Sequence, residues 1–280
     1  MINMFEFEKI TDSVWAHTKG DTFGHVAFVK LKDRLVFIDS GYYPKVIEDA
    51  RKIAEEMTGL SVKQLIITHH HGDHVLGNQV FEDCEIISSK PILKILSEYW
   101  TEENTENLRK REPESFSNLK IVLPNKTFEE EYIITDGNLT LEIVQTNGHT
   151  KGSSYVFVPE EEVLIAGDLL FANEIPYFGD KTTDAYSWIE AYKKMIDLSP
   201  KIIVPGHGPL SNVDEMRRQL DYMEKCVKWM ENYINNGGKK EDLENVDDFP
   251  LLDYEPYNNF EFLFKLSKNR TFDVVKEKLT

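Results

Sequence analysis

The run His69-His70-His71-Gly72-Asp73-His74 places five potential metal ligands within six positions, directly after the strand-like stretch Gln64-Leu65-Ile66-Ile67-Thr68. A chain leaving a strand points alternate residues the same way, so His69 and His71 can converge on one ion. Asp73 and His74 then turn toward a second, as two-metal hydrolytic sites require. A structural zinc site closes on four ligands and is usually rich in cysteine. This chain has two cysteines, Cys84 and Cys226, neither of them in the run. The bland alternatives are a chance histidine-rich loop or a purification tag. Tags sit at chain ends, however, and four of the chain's eight histidines fall in this internal run.

Three further apolar runs end on the same residue types. Leu139 to Val144 is followed by His149 in Thr146-Asn147-Gly148-His149-Thr150; Val163 to Gly167 ends at Asp168; Lys201 to Gly206 ends at His207. Ligands displayed at one edge of a rigid sheet suit a preorganised metal site. Gly72, Gly148, Gly167 and Gly206 beside them suggest sharp turns that swing side chains inward. Singly, each polar residue after a strand reads as a turn or cap. Together they form a consistent set.

With these residues in view, the chain resembles the metallo-β-lactamase superfamily, which carries an H-x-H-x-D-H motif followed by a histidine, a bridging aspartate and a last histidine. The resemblance covers roughly residues 12 to 212, a usual size for one domain. It implies His69, His71 and His149 for a first metal, Asp73, His74 and His207 for a second, and Asp168 as the bridge. Asp39, in Phe37-Ile38-Asp39-Ser40-Gly41, matches an aspartate the family carries after an early strand. The implied fold is a four-layer αββα sandwich over residues 1–212, with a helical C-terminal extension over 213–280 packed on it. The implied cofactor is two zinc ions per chain, with iron or manganese also compatible with His and Asp ligands.

The implied chemistry is hydrolysis of a small ester, thioester, lactone or lactam by a metal-bound hydroxide, with Asp73 orienting the water or taking its proton. His74 and the bridging Asp168 are similar to the glyoxalase II and lactonase branches; some zinc β-lactamases use a cysteine instead. The C-terminal region departs from glyoxalase II, being acidic until Lys265, Lys268, Arg270, Lys276 and Lys278. Two rival classes remain: an iron-dependent oxidoreductase of the persulfide dioxygenase type, and a non-catalytic binding module on the same fold. Tyr177, Asn173 and Tyr186 are substrate-contact candidates by position only. His70 should point away from the metals, and His17 and His25 read as structural.

The net charge of −17 argues against binding a nucleic-acid polyanion. The one basic triplet, Arg109-Lys110-Arg111, sits among glutamates and reads as a self-paired helix face. No apolar run approaches the roughly 20 residues of a membrane span. The start Met1 to Glu6 lacks signal-peptide character. Together with so few cysteines, these features suggest a cytoplasmic protein acting on a small molecule.

Along the chain, strands are expected at Val14–His17, His25–Lys30 and Arg34–Ile38, then a helix over Pro44–Met57 closed by Gly59. Residues 91 to 117 read as helical, either overhanging the metal loops or forming an exposed connection, with a strand after them at Lys120–Leu123. Met216, Leu220, Met223, Val227, Met230 and Ile234 form a helical stripe that packs on its own domain or in a homodimer. Past Asn235-Asn236-Gly237-Gly238 comes an acidic aromatic stretch containing Phe249, Tyr254, Tyr257, Phe260 and Phe262. A short helix over Phe272–Leu279 is expected to close the chain.

Overall fold

The computed structural model describes residues 5–19, 22–254 and 259–280, so Met1 to Met4 and Tyr257 lie outside the described residues. Among the described residues two sheets face each other. The first has seven strands in chain order: β1 (Glu8–Lys9), β2 (Val14–His17), β3 (Val26–Lys30), β4 (Leu35–Ile38), β5 (Val62–Ile66), β6 (Glu85–Ser89) and β7 (Lys126–Phe128). Pairing is antiparallel from β1 to β4 and parallel from β4 to β7. The second sheet has the order β12-β11-β10-β9-β8, built from β8 (Glu131–Thr135), β9 (Thr140–Gln145), β10 (Ser154–Val158), β11 (Val163–Phe171) and β12 (Ile202–His207). Only its β11–β12 pair is parallel.

Strand periodicity divides the core into layers. In β3 and β4, Ala27, Val29, Val36 and Ile38 face the second sheet, meeting Ile143, Val156, Ile165 and Val204. The alternate residues Val26, Phe28, Leu35 and Phe37 face outward onto Ile47, Ala50 and Ala54 of α1 (Pro44–Thr58) and Ile92 of α3 (Lys90–Tyr99). Between these helices lies α2, the single turn Gly72–Val75. Strands buried on both faces are apolar throughout rather than alternating. The outer face of the second sheet is covered by α6 (Ala185–Asp197), α7 (Val213–Asn235) and α8 (Phe260–Leu279), with Trp188, Tyr192, Met216, Met223, Met230 and Phe272 in one apolar cluster. The fold is thus a four-layer αββα sandwich with C-terminal helices. The stripe from Met216 to Ile234 lies along α7 and packs on this chain's own core.

Three local expectations differ. The region 91–117 is divided among α3, α4 (Glu102–Arg111) and α5 (Pro113–Phe116), because Thr101 caps α4 and Pro113 starts α5. The expected strand at Lys120–Leu123 does not form: the Lys120 N–H goes to the Gln79 side chain and the Val122 carbonyl to Asn78. The closing helix starts at Phe260, twelve residues earlier than Phe272. None of the described helices is long and apolar enough to cross a membrane.

Candidate metal centre

Local chain geometry explains how the His69 run works. After β5 ends at Ile66 the chain runs without regular structure to His71, which is itself extended, and then coils into α2. That stretch sends His69 and His71 to one side, and the helical turn brings Asp73 and His74 round to a second position. His149 follows β9, and His207 is the last residue of β12. Asp168 does not end its strand, although the apolar run before it stops there. It lies inside the nine-residue β11, next to a register irregularity between Ile165 and Gly167. Of the flanking glycines, Gly148 and Gly167 have positive φ, whereas at Gly206 the constraint is space, since a Cβ there would collide with Asp168 Oδ1. Gly72 meets neither condition.

The structure brings the seven candidate ligands together as two neighbouring groups. The ligating atoms of His69, His71, His149 and Asp168 lie within 4.8 Å of one another, as do those of Asp73, His74 and His207. The rings of His69, His71 and His149 form a nearly equilateral triangle with centroid separations of 4.8, 4.9 and 4.8 Å. Asp168 reaches both groups. Its Oδ2 is 3.4 Å from the Nε2 atoms of His69 and His149 and 3.5 Å from that of His207, and its Oδ1 is 3.0 Å from His74 Nε2. Asp73 Oδ2 is 3.2 Å from His207 Nε2 and 3.6 Å from His74 Nε2.

Outer hydrogen bonds assign the tautomers. Thr68 Oγ1 donates its one proton to Asp39 Oδ2 (2.7 Å), so it accepts from His69 Nδ1 (3.1 Å). His74 Nδ1 donates to Asp39 Oδ2 (2.7 Å), His149 Nδ1 to the Tyr177 carbonyl (3.2 Å), and His71 Nε2 to Asp180 Oδ2 (3.3 Å). In its neutral form each ring therefore turns a lone pair inward, toward carboxylate oxygens or another lone pair. His149 Nε2 and His71 Nδ1 face each other at 3.0 Å. The Nε2 atoms of His69 and His74 and Asp168 Oδ1 are buried without a hydrogen-bond partner. Buried acceptors aimed at one another are costly. A bound cation between them removes that cost, so the residues present fit a divalent metal at each position.

The protonation pattern follows the same division. Burial pushes His69 down to about 4 and His149 well below the ordinary imidazole value. Burial acts in the same direction on His74 and His207, but nearby carboxylates outweigh it. Asp168, Asp73 and Asp39 raise His74 well above its usual value, and Asp168 and Asp73 bring His207 up to about 10. Against their own burial, Asp73 is lowered by His74 and His207, and Asp168 by His74, His207 and His69.

Several residues around the ligands carry no sequence signal of their role. Asp180 is the clearest, because nothing about Gly179-Asp180-Lys181 announces that it meets His71. His70 turns from the metal positions to the same carboxylate, with Nε2 3.5 Å from Oδ2. The group His70, His71 and Asp180 is accounted for by these two contacts. Gly24 is another such residue: a Cβ there would collide with His74 Nε2. Beside it, Phe23 is 56% exposed, and its ring centroid lies 5.3 Å from Tyr42, whose ring is 5.1 Å from Phe116 of α5. Tyr42 also bonds Glu112 (3.1 Å) and lies beside Gly72. The helical stretch 90–116 thus buttresses an aromatic wall next to the metal loop.

Among the positional candidates, Tyr177 is near the first group, with its ring 6.4 Å from those of His71 and His149. Asn173 is an exposed left-handed turn residue, and Tyr186 gives its hydroxyl to Glu231 of α7. His25 donates Nδ1 to the Pro205 carbonyl (2.9 Å), and His17 stacks on Phe5; neither belongs to a ligand group.

The family model of the metallo-beta-lactamase superfamily matches residues 20–207, two thirds of the chain and all seven ligand positions. The chain belongs to the metallo-beta-lactamase superfamily. Among its relatives is the beta-lactamase-like protein 2 homolog of Caenorhabditis elegans, 28% identical over 76% of this chain and 64% of that protein. Another is a probable metallo-hydrolase of Bacillus subtilis, 26% identical over 68% of this chain and 69% of that protein. The chain therefore spans less than two thirds of the nematode relative's length. A solved metallo-beta-lactamase from Pontibacter korlensis shares the fold, with a TM-score of 0.64 at 23% identity over 78% of this chain and 98% of that one.

Proposed function

We propose that this superfamily member is a dinuclear, zinc-dependent hydrolase of small esters, thioesters, lactones or lactams, its catalytic domain spanning residues 1–212 and carrying 213–280 as an extension. The observation that carries the reading is Asp168, whose two oxygens reach imidazoles of both ligand groups. The Bacillus relative's description as a probable metallo-hydrolase supports the same class. Bound divalent cations would supply an acidified water and an electrophile for a carbonyl oxygen.

The chain's own residues supply the rest. Asp73 sits at the more open end of the centre with Oδ2 turned toward His207, where it can orient a water and accept its proton. Asp39 and Asp180 lock the donor tautomers of His74 and His71. Tyr177 flanks the first group, and the Phe23–Tyr42 wall stands beside the metal loop. Such walls favour substrates with an apolar or aromatic group next to the scissile carbonyl.

The test is metal analysis of untagged protein together with a panel of esters, thioesters, lactones and lactams bearing aryl or alkyl groups. About two zinc ions per chain and turnover that disappears in chelator and in Asp73→Asn are expected. Mostly iron, with no hydrolysis across the panel, would contradict the proposal and redirect the search to oxidative chemistry.

A further inference from the structure

Two outer partners of the first ligand group come from one loop, residues 172 to 184 between β11 and α6. The Tyr177 carbonyl receives His149 Nδ1, and Asp180 receives His71 Nε2. That loop is braced from within: Thr182 donates to Asp180 Oδ1 through N–H (2.7 Å) and hydroxyl (2.5 Å). It is also anchored from outside, by α8. Ser267 accepts the Phe178 N–H at 3.0 Å while donating to the Leu263 carbonyl, and Arg270 Nε donates to the Thr183 carbonyl at 2.8 Å. Between these anchors, a Cβ on Gly179 would lie 2.8 Å from Leu266 Cβ, so helix and loop are in close contact there.

Ser267 and Arg270 are three apart and share one helix face. The helix is itself fixed at its far side by Lys268, whose ammonium bonds the Leu243 carbonyl (2.8 Å), and by the Lys240–Asp273 ion pair. None of α8 lies within residues 20–207 matched by the family model.

We propose that α8 is a working part of the metal centre: through Ser267 and Arg270 it positions the loop whose Tyr177 carbonyl and Asp180 carboxylate aim His149 and His71 at the first metal. The chain of contacts is short: Arg270 to Thr183, Thr183 to the Asp180 turn, and Asp180 to His71. Thr183 also donates its hydroxyl to the His149 carbonyl (2.5 Å), which places a second ligand's backbone in the same unit. Ser267 and Arg270 are positioning residues. They touch no ligand atom and act through the loop. Partners that orient metal-binding histidines typically change metal affinity tenfold to a hundredfold when lost, and the same loss should follow when their support is removed.

The experiment is a stepwise zinc titration of full-length protein against a chromophoric chelator, for wild type, Arg270→Met, Arg270→Lys, Asp180→Asn, Arg270→Met/Asp180→Asn and Lys240→Ala. The wild type should take up two equivalents. Arg270→Met should weaken one equivalent by about tenfold or more and leave the other as in wild type. Arg270→Lys, which keeps a donor for the Thr183 carbonyl, should restore most of that loss. The double variant should lose less than the sum of the two single losses, because both changes act through one loop. Lys240→Ala loosens the far side of α8 and should lower only the melting temperature. The inference rests on the metal reading above; a wild type that bound no zinc would remove both. Wild type with two equivalents and Arg270→Met with two unchanged equivalents would overturn this inference alone. So would an equal loss in Lys240→Ala, which would make the effect one of general stability.

Discussion

The two ligand groups share Asp168 but are supported very differently. All three histidines of the first group have an outer hydrogen-bond partner: Thr68, Asp180 and the Tyr177 carbonyl. In the second group only His74 does, through Asp39. Among the described residues the side chains of Asp73 and His207 hydrogen-bond to no outer group, and the His207 ring stacks on Phe171 with centroids 5.2 Å apart. Their side chains are 23% and 21% exposed; in the first group His71 is comparably open at 22%, while His69 and His149 are sealed from solvent, as is His74 in the second. Preorganised ligands bind without further ordering, and loosely held ones must be ordered by the metal. The first position should therefore bind the tighter ion, and the second should be where water and substrate enter.

Removing ligands probes this contrast with the largest effects. His149→Ala should abolish tight uptake at the first position and cost several kcal/mol of transition-state stabilisation, on the order of a thousandfold in hydrolysis rate. His207→Ala should empty the second position and leave the first affinity nearly unchanged in the same zinc titration. Asp39→Asn comes next: Asp39 Oδ2 takes His74 Nδ1 directly and reaches His69 only through the Thr68 hydroxyl, so the second equivalent should weaken by about tenfold to a hundredfold and the first by less. If Asp39→Asn weakened the first equivalent more, the assignment of outer partners to groups would be wrong. Gly24→Ala should displace His74 and weaken the second equivalent by roughly tenfold, checked by the same titration.

The smallest effect lies away from the centre and sets its scale. Asp83 pairs with Arg51 at 2.6 Å, and the guanidinium holds its carboxyl down to about 2. Because the folded value lies below the unfolded one, this stabilisation is present above about pH 4 and is lost as pH falls toward 2. The carboxylate is 64% exposed, so solvent screening limits the contribution to under about 1 kcal/mol. Asp83→Asn should lower unfolding free energy by that amount at pH 7 and by nothing near pH 2, with metal uptake at pH 7 unaltered.

Much of the centre was legible because strand and ligand patterns are local. The run from Gln64 to His74 shows a strand, a ligand pair and a turn within a dozen residues, and His149, Asp168 and His207 each follow an apolar run. What was not legible is what depends on distant contacts. Asp180 meets His71 only because the loop after β11 folds back over the β5 loop. Lys120–Leu123 has strand-like composition but no neighbouring strand to pair with, and its backbone bonds side chains instead. The early start of α8 was hidden because its buried face includes Ser267, Lys268 and Thr271. These polar groups are satisfied by carbonyl and amide partners, which an apolar-periodicity reading does not register.

The most direct test of the account is a titration of metal-depleted wild-type protein with zinc, following free zinc and hydrolysis at each addition. Two equivalents binding in separate steps, the first tighter and lost in His149→Ala, the second lost in His207→Ala, with hydrolysis reaching its maximum only after both, is the result predicted. A single equivalent that saturates both binding and activity would contradict it.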